Sequence, residues 1–327
     1  MRTTSIHSAP LRLAVAVALA LGGAVLVRAA EPAAPQSMTI LAQDGDERTL
    51  DQLWQVAPDA LVEVHNVRGG VTVSAGDAAR VKLGGSLGAG SKLVVSGDAR
   101  HLQLEVESRD GNGWFGKTGP DSDSDLVLTI PHTASLKVEA VSADVKAAGI
   151  DGKSLSLASV SGDVVASGGA PQVDIENVSG NVKFDTGSTD TNGRMHLQTV
   201  SGDVLAKGGG GRIKLETVSG EVTLRTDSVQ EIEAGTVSGT IEIYATPAKH
   251  ARIHVDTMSG SVRLHVPSNL SAKVEASTFS GSLHSDFGKV EKPEYGPGSS
   301  LSARVGDGDA QINAQAFSGD VEIRKQQ

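Results

Sequence analysis

The chain has 327 residues, with 39 acidic against 29 Lys and Arg side chains, no cysteine, 39 glycines and only 3% aromatic residues. The lack of cysteine leaves stability to buried apolar surface, and the acidic balance makes nucleic acid and anionic lipid poor partners. With so few rings, the core has to be built from Val, Leu, Ile and Ala between many tight turns, which suits a β-solenoid better than a conventional enzyme domain.

Residues 1–29 read as a secretory signal peptide: Arg2, His7 and Arg12 precede an apolar run from Leu13 to Val27 that ends in small residues. Val27 and Ala29 fit the −3 and −1 positions of a cleavage site after Ala29, with Ala30 as the alternative. The run is too short for a comfortable membrane span, and no later apolar stretch approaches ~18 residues. The mature chain is therefore expected to be exported, to the periplasm or the cell surface, without a transmembrane segment. Loss of Arg2, Arg12 and Arg28 makes its net charge about −13.

Residues 30–47 form a Pro/Ala-rich linker whose prolines disfavour helix and sheet. Residues 48–130 read as an N-terminal β region, with strands expected at Ala60 to Ser74, Arg80 to Leu83, Lys92 to Val95 and His101 to Val106 between Gly-rich turns. Within it, Asp110 to Asp125 has loop composition around the adjacent aromatics Trp114 and Phe115. Trp54 reads as a cap near the first strand.

Residues 131–325 are a repeat. Units such as Met195-His-Leu-Gln-Thr-Val-Ser-Gly-Asp-Val and Ile213-Lys-Leu-Glu-Thr-Val-Ser-Gly-Glu-Val recur eight times, each with a Ser-Gly turn: Ser161-Gly162, Ser179-Gly180, Ser201-Gly202, Ser219-Gly220, Ser238-Gly239, Ser259-Gly260, Ser280-Gly281 and Ser318-Gly319. The glycines step by 18, 22, 18, 19, 21, 21 and 38 residues. The long last step implies either a hidden rung or an insertion in residues 286–311.

Apolar residues at Ile213, Leu215, Val218, Val222 and Leu224 suggest two period-2 strands flanking one turn. One such rung is unstable alone, since five buried side chains contribute roughly 1.5–3 kcal/mol each while backbone ordering costs roughly 1–2 kcal/mol per residue. Stacked rungs supply the remainder. The turn glycines are expected at positive φ and the serine hydroxyls to satisfy turn backbone or one another. The residue before Ser changes from Val to Met258, Phe279 and Phe317, which predicts a core that widens and is plugged at the C-terminal end.

The pattern from about Arg48 to Arg324 resembles the bacterial putative adhesin family of domains of unknown function, related to auto-transporter adhesin head domains. The residues that carry it are Leu61-Val62-Glu63-Val64-His65-Asn66-Val67-Arg68-Gly69-Gly70-Val71, Asp125-Leu-Val-Leu-Thr-Ile-Pro131, Val141-Ser-Ala-Asp-Val145 and the Ser-Gly-Asp repeats. The resemblance implies an exported β-solenoid with an adhesin-like role and supplies no catalytic residues.

Chemical motifs are sparse. His254 and Asp256 beside His265 and His284 form the best outward cluster for acid–base work, but nothing marks a nucleophile with its base. Phosphate-loop, zinc-spacing and metalloprotease motifs are absent. Trp114 and Phe115 are the candidate contact loop, the other reading being that they fold back over an open end of the core. The sequence thus reads as an all-β, single-domain parallel β-solenoid, a non-catalytic binding or scaffolding module without cofactor or metal. Its partner would be an unidentified envelope protein or glycan. A carbohydrate-active enzyme or a structural assembly subunit are the rival readings, and the charged Glu322, Arg324 and Lys325 on the last strand argue against end-to-end growth.

Asp144, Asp163, Asp203 and Asp320 follow the small turn residue, as a calcium solenoid would require, yet Asn181, Glu221, Thr240, Ser261 and Ser282 take that place elsewhere. Turn-forming polar residues fit better than a calcium ladder. In circular dichroism melts, millimolar calcium or chelator should move the melting temperature by no more than about 2 °C; a larger calcium-dependent rise would establish a metal ladder.

Overall fold

The structure, a computed structural model, describes residues 39–41, 48–108, 122–187, 192–294 and 297–326. The expected leader, most of the linker and the Trp114-Phe115 pair lie outside them. All regular structure among the described residues is β, and no helix there is long and apolar enough to cross a membrane.

Alternating Val, Ile and Leu make the strands, and each Ser-Gly turn joins a longer strand to a shorter one. Arg194–Ser201 leads to Val204–Lys207, for example, and Arg212–Val266 continues through three rungs. Equivalent positions pair in parallel: Val173 with Met195 and Met195 with Ile213 in the long-strand stack, Val182 with Val204 and Val204 with Val222 in the short-strand stack. Ile213, Leu215, Val222 and Leu224 are buried between the two stacks. This is the parallel β-solenoid expected from the repeat.

The inward register differs from expectation by one residue at the turn. Strict alternation from Ile213 and Leu215 turns Thr217 inward and Val218 outward. The same holds along the repeat: Ser159, Asn177, Thr199, Thr236, Thr257 and Thr278 are buried, whereas Val178, Met258, Phe279 and Phe317 are 46%, 41%, 53% and 57% exposed. Phe279 and Phe317 therefore do not plug the core. They stack on each other outside it, with ring centroids 5.1 Å apart.

The corner serines are exposed as well. In some rungs an inward polar side chain, not the serine hydroxyl, reaches a turn carbonyl of the neighbouring rung: Ser159 Oγ donates to Ala143 O, Asn177 Nδ2 to Gly162 O (2.9 Å) and Thr278 Oγ1 to Gly319 O (2.8 Å). Asn66 Nδ2 does the same toward Ser124 O at 2.9 Å. The buried hydroxyls of Thr199, Thr217, Thr236 and Thr257, by contrast, have no hydrogen-bond partner among the described residues.

Of the turn glycines, Gly162, Gly180, Gly202, Gly220, Gly239, Gly281 and Gly319 have positive φ, as expected, but Gly260 does not. A second constraint covers Gly260 too. A Cβ on Gly220 would overlap the carbonyl oxygen of Gly202, and one on Gly260 would overlap that of Gly239. Glycine is needed here as much for rung-to-rung approach as for φ. One residue further on, carboxylates and an amide stitch the rungs together: Asp163 N donates to Asp144 Oδ1, Asn181 N to Asp163 Oδ1, Asp203 N to Asn181 Oδ1 and Glu221 N to Asp203 Oδ1.

Both ends depart from simple sequential stacking. Leu61–Gly76, first of the rungs in sequence, lies between Ser135–Ala148 on one side and His101–Ser108 with Ser124–Pro131 on the other. Antiparallel strands Arg80–Leu87 and Ser91–Gly97 then cover that end. At the far end Ala310–Ser318 inserts between Arg212–Val266 and Ala272–Ser280.

The 38-residue step is explained by an antiparallel strand, Ser299–Val305, which pairs along Ala272–Ser280. Residues 286–311 thus hold an edge cover and not a hidden parallel rung. Val321–Lys325 pairs on both sides, with Arg212–Val266 and with Leu283–Ser285. Glu322, Arg324 and Lys325 are therefore not edge guards; the short-strand stack ends in the three-residue strand Leu283–Ser285, too short to template growth.

Gly220→Val should cost roughly 3 kcal/mol or more, against under about 1 kcal/mol for Glu221→Ala. Thermal melts of the two variants check this, and equal losses would show that the close approach at Gly220 is not required.

Candidate functional site

The interior is filled by packed side chains, so chemistry has to sit on the outside, where residues sharing a repeat position form ladders with rungs about 4.8 Å apart. Six residues before each turn glycine, on the long-strand stack, come Ser156, Asp174, His196, Lys214, Glu233, His254, Glu275 and Asn313. His196 Nδ1 lies 3.1 Å from Asp174 Oδ1, and its Nε2 lies 3.3 Å from Glu216 Oε2. These two bonds, that to Asp174 first, raise its pKa from the ordinary 6.5 to about 9. The imidazolium is thereby held at neutral pH with both nitrogens donating.

Asp174, Glu176 and His196 offer ligand atoms within 4.8 Å of one another, but a cation there would first have to displace this proton. Further along, His254 Nε2 is 3.2 Å from Asp256 Oδ1, which raises the pKa of His254.

The second ladder stands five residues after each turn glycine, on the short-strand stack: Ser167, Asp185, Lys207, Arg225, Tyr244, His265, Arg324 and Asp286, with Asp185 paired to Lys207, Lys207 to Arg225 and His265 to Arg324. The Arg225 guanidinium lies 4.0 Å over the Tyr244 ring, and Tyr244 stacks on His265 at 4.2 Å with the rings 6° from parallel. The Tyr244 hydroxyl donates to Glu242 Oε1 at 3.0 Å, and His265 Nε2 lies 3.1 Å from the same oxygen. Glu242 therefore fixes the edges of both rings.

Arg225 and Lys207 make no ion pair among the described residues. Arg225, Tyr244, His265, Arg324 and Asp286 of the ladder line an open groove of about 730 Å³, together with Asp227 and Lys325. Beside Asp227, Ser228 sits at φ 56°, a left-handed corner conformation that Gly149 and Gly187 take elsewhere.

The structure separates the outward cluster expected from sequence. His254 and Asp256 lie on the long-strand face, whereas His265 and His284 lie on the short-strand face, each with its own carboxylate, Glu242 and Asp286. Consecutive alternating strands point away from different walls of the solenoid, so closeness in sequence did not place these groups together. The stack of Arg225, Tyr244 and His265 was missed by motif search, yet its signal is present: aligning the units on the turn glycine brings these residues into one column.

The Toastrack DUF4097 family matches residues 62–324, from the first rung to the last strand. The chain belongs to the Toastrack DUF4097 family. The sequence resemblance to an adhesin-like family of domains of unknown function resolves to this one. No curated protein matches the chain.

Among solved structures, this Toastrack DUF4097 chain is similar to a putative adhesin from Bacteroides fragilis, at 13% identity over 85% of this chain and 97% of that one, with a TM-score of 0.38. It is also similar to a putative cell adhesion protein from Clostridium sporogenes, at 9% over 85% and 100% with a TM-score of 0.24. A putative lipid binding protein from Parabacteroides distasonis matches at 11% over 87% and 98%, with a TM-score of 0.33.

His196 supplies a pH test. Because its folded pKa is raised, its contribution to stability is full below about pH 6.5 and is lost as pH rises through about 9. Glu216, with its pKa lowered chiefly by His196, contributes above its ordinary 4.5 and loses that contribution as pH falls through the lowered value. The melting temperature of the parent should exceed that of His196→Gln by a few degrees near pH 6.5, the difference closing by about pH 10. A difference that stays constant across this range would contradict the assigned pairing.

Proposed function

We propose that this Toastrack DUF4097 protein is an exported, non-catalytic binding or scaffolding module of the cell envelope, adhesin-like in action, working in the periplasm or at the cell surface through the open face and loops of a rigid solenoid. The leader-like segment at residues 1–29 supports export. The observation that carries the binding role is the pre-stacked row of Arg225, Tyr244 and His265 on an open groove. Arg and Tyr held in one geometry by packing are typical of recognition surfaces, since little side-chain entropy is lost when a ligand arrives.

The distribution of acids and bases supports a non-catalytic reading over a carbohydrate-active enzyme. The candidate histidines are split between faces, and His265 is tied to Glu242 and stacked on Tyr244. On the loops, Trp114 and Phe115 remain the contact candidates.

Purified protein incubated with isolated envelope material should retain it saturably and release no new reducing ends over hours. Release that depends on His265 or Glu242 would overturn the non-catalytic reading, and a lack of any retention would overturn the binding role. Replacing Trp114 and Phe115 by Ser should leave the melting temperature unchanged and lower retention; a melt depressed by several degrees would make the pair a core cover instead.

A further inference from the structure

We propose that the groove lined by Arg225, Tyr244, His265, Arg324 and Lys325 binds an acidic polysaccharide, a sugar chain bearing carboxylate groups, extended along the solenoid axis. This rests on the binding-module reading and names the ligand class of that site.

Three features of the groove select this chemistry. First, Tyr244 is covered by Arg225 on one side and His265 on the other. A ligand therefore meets the polar edges of the stack and not an open ring face, which directs recognition to charge and hydrogen bonds. Second, two cations of the groove are available. Arg225 has no carboxylate partner among the described residues, and the Lys325 ammonium stands 5.4 Å over the Phe287 ring, whereas Arg324 is engaged with Asp286 at 4.0 Å and Glu322 at 3.6 Å. A guanidinium held against an aromatic ring loses less freedom on pairing with a planar carboxylate.

Third, the groove mixes these donors with acceptors. Asp227 and Asp286 line it, and Asp286 is kept ionised by the backbone N–H of Lys325, then by Arg324 and His284. Sugar hydroxyls donate to such carboxylates while the acidic substituents go to Arg225 and Lys325. Double-stranded DNA presents phosphates but no free sugar hydroxyls along its backbone, so Asp227 and Asp286 would be left without donors against it.

Dimensions agree with a chain ligand. Arg225 and Arg324 are three rungs apart in the stack, about 14 Å at 4.8 Å per rung. The groove, about 730 Å³, falls in the range of sites for extended organic ligands and far above the space a single ion needs. Because the protein as a whole is acidic, at −10, attraction has to come from the local cations, and binding should weaken with salt as the Debye length shortens.

The test is isothermal titration calorimetry of the purified chain with polygalacturonate at low and high salt, with neutral dextran and double-stranded DNA as comparisons. The parent should bind polygalacturonate, more weakly at high salt, and bind neither dextran nor DNA measurably. Arg225→Gln should weaken binding at least about tenfold, and Lys325→Gln by several-fold. Lys153→Gln, which removes an equal charge from an exposed pair with Asp59 on a different part of the surface, should change it less than about twofold. Arg225 is exposed, so its variant should keep the parent melting temperature; Lys325→Gln gives an independent reading.

Equal binding by parent and Arg225→Gln, comparable binding of dextran or DNA, or no binding of polygalacturonate would each overturn the proposal. If polygalacturonate fails while envelope material is still retained, the ligand class is wrong and the binding-module reading stands. If both fail, the reading falls too.

Discussion

At every Ser-Gly turn the backbone of one rung lies so close to the next that no side chain fits between them. A Cβ on Gly220 would occupy the place of the Gly202 carbonyl oxygen, and the same overlap recurs from Gly180 to Gly260. The remaining arrangement follows from this contact. It sets the rungs in register, so that Val204 meets Val222 and Ser201 meets Ser219. It brings the Gly162 carbonyl within reach of the inward Asn177, and the turn carboxylates of Asp144, Asp163 and Asp203 within reach of the next backbone N–H. Identical positions then stack on the outside as well, which is how Arg225, Tyr244 and His265 come to lie face to face.

A stack of parallel strands has two open ends, and the chain deals with both by folding back. Leu61–Gly76 and Ala310–Ser318 are each inserted one rung in from their ends, and antiparallel strands cover what lies beyond. The repeat can therefore carry a long rigid face without exposing a long parallel edge that would template association with another chain. The cost falls on folding order: the rung of Ala310–Ser318 can settle only beside Ala272–Ser280 and Arg212–Val266 together, so that end closes when the last segment of the chain arrives.

Much of this was legible in the sequence. The repeat of Val-Ser-Gly units, the alternating residues such as Ile213 and Leu215 and the density of glycine identify a parallel β-solenoid, because period-2 strands and positive-φ turns leave few other ways to bury Val and Ile. The turn register was not legible from residue type alone: Val218 is apolar yet faces out, and Thr217 is polar yet buried, since alternation along the strand outranks hydrophobicity at one position. Phe279 and Phe317 were misplaced for the same reason.

The rung order at the ends was hidden because equivalent units are nearly interchangeable by sequence, so only the folded pairing shows that Ile312 lies between Ile253 and Val274. The groove was overlooked because its residues are dispersed over about a hundred positions and form no local motif. They converge only when read down one column of the stack.

The turns belong to the hydrogen-bonded stack and are not loops between strands. In the structure Gly162 N donates to Ser179 O, Gly180 N to Ser201 O and Gly202 N to Ser219 O, each bond running from one rung to the next. Native-state hydrogen exchange tests this directly. The amides of Gly162, Gly180 and Gly202 should exchange as slowly as those of the flanking strand residues Ile175, Leu197 and Leu215. Exchange at the turn glycines several orders of magnitude faster than in those strands would mean that the rungs are held by the strands alone, and the account of the stack given above would be wrong.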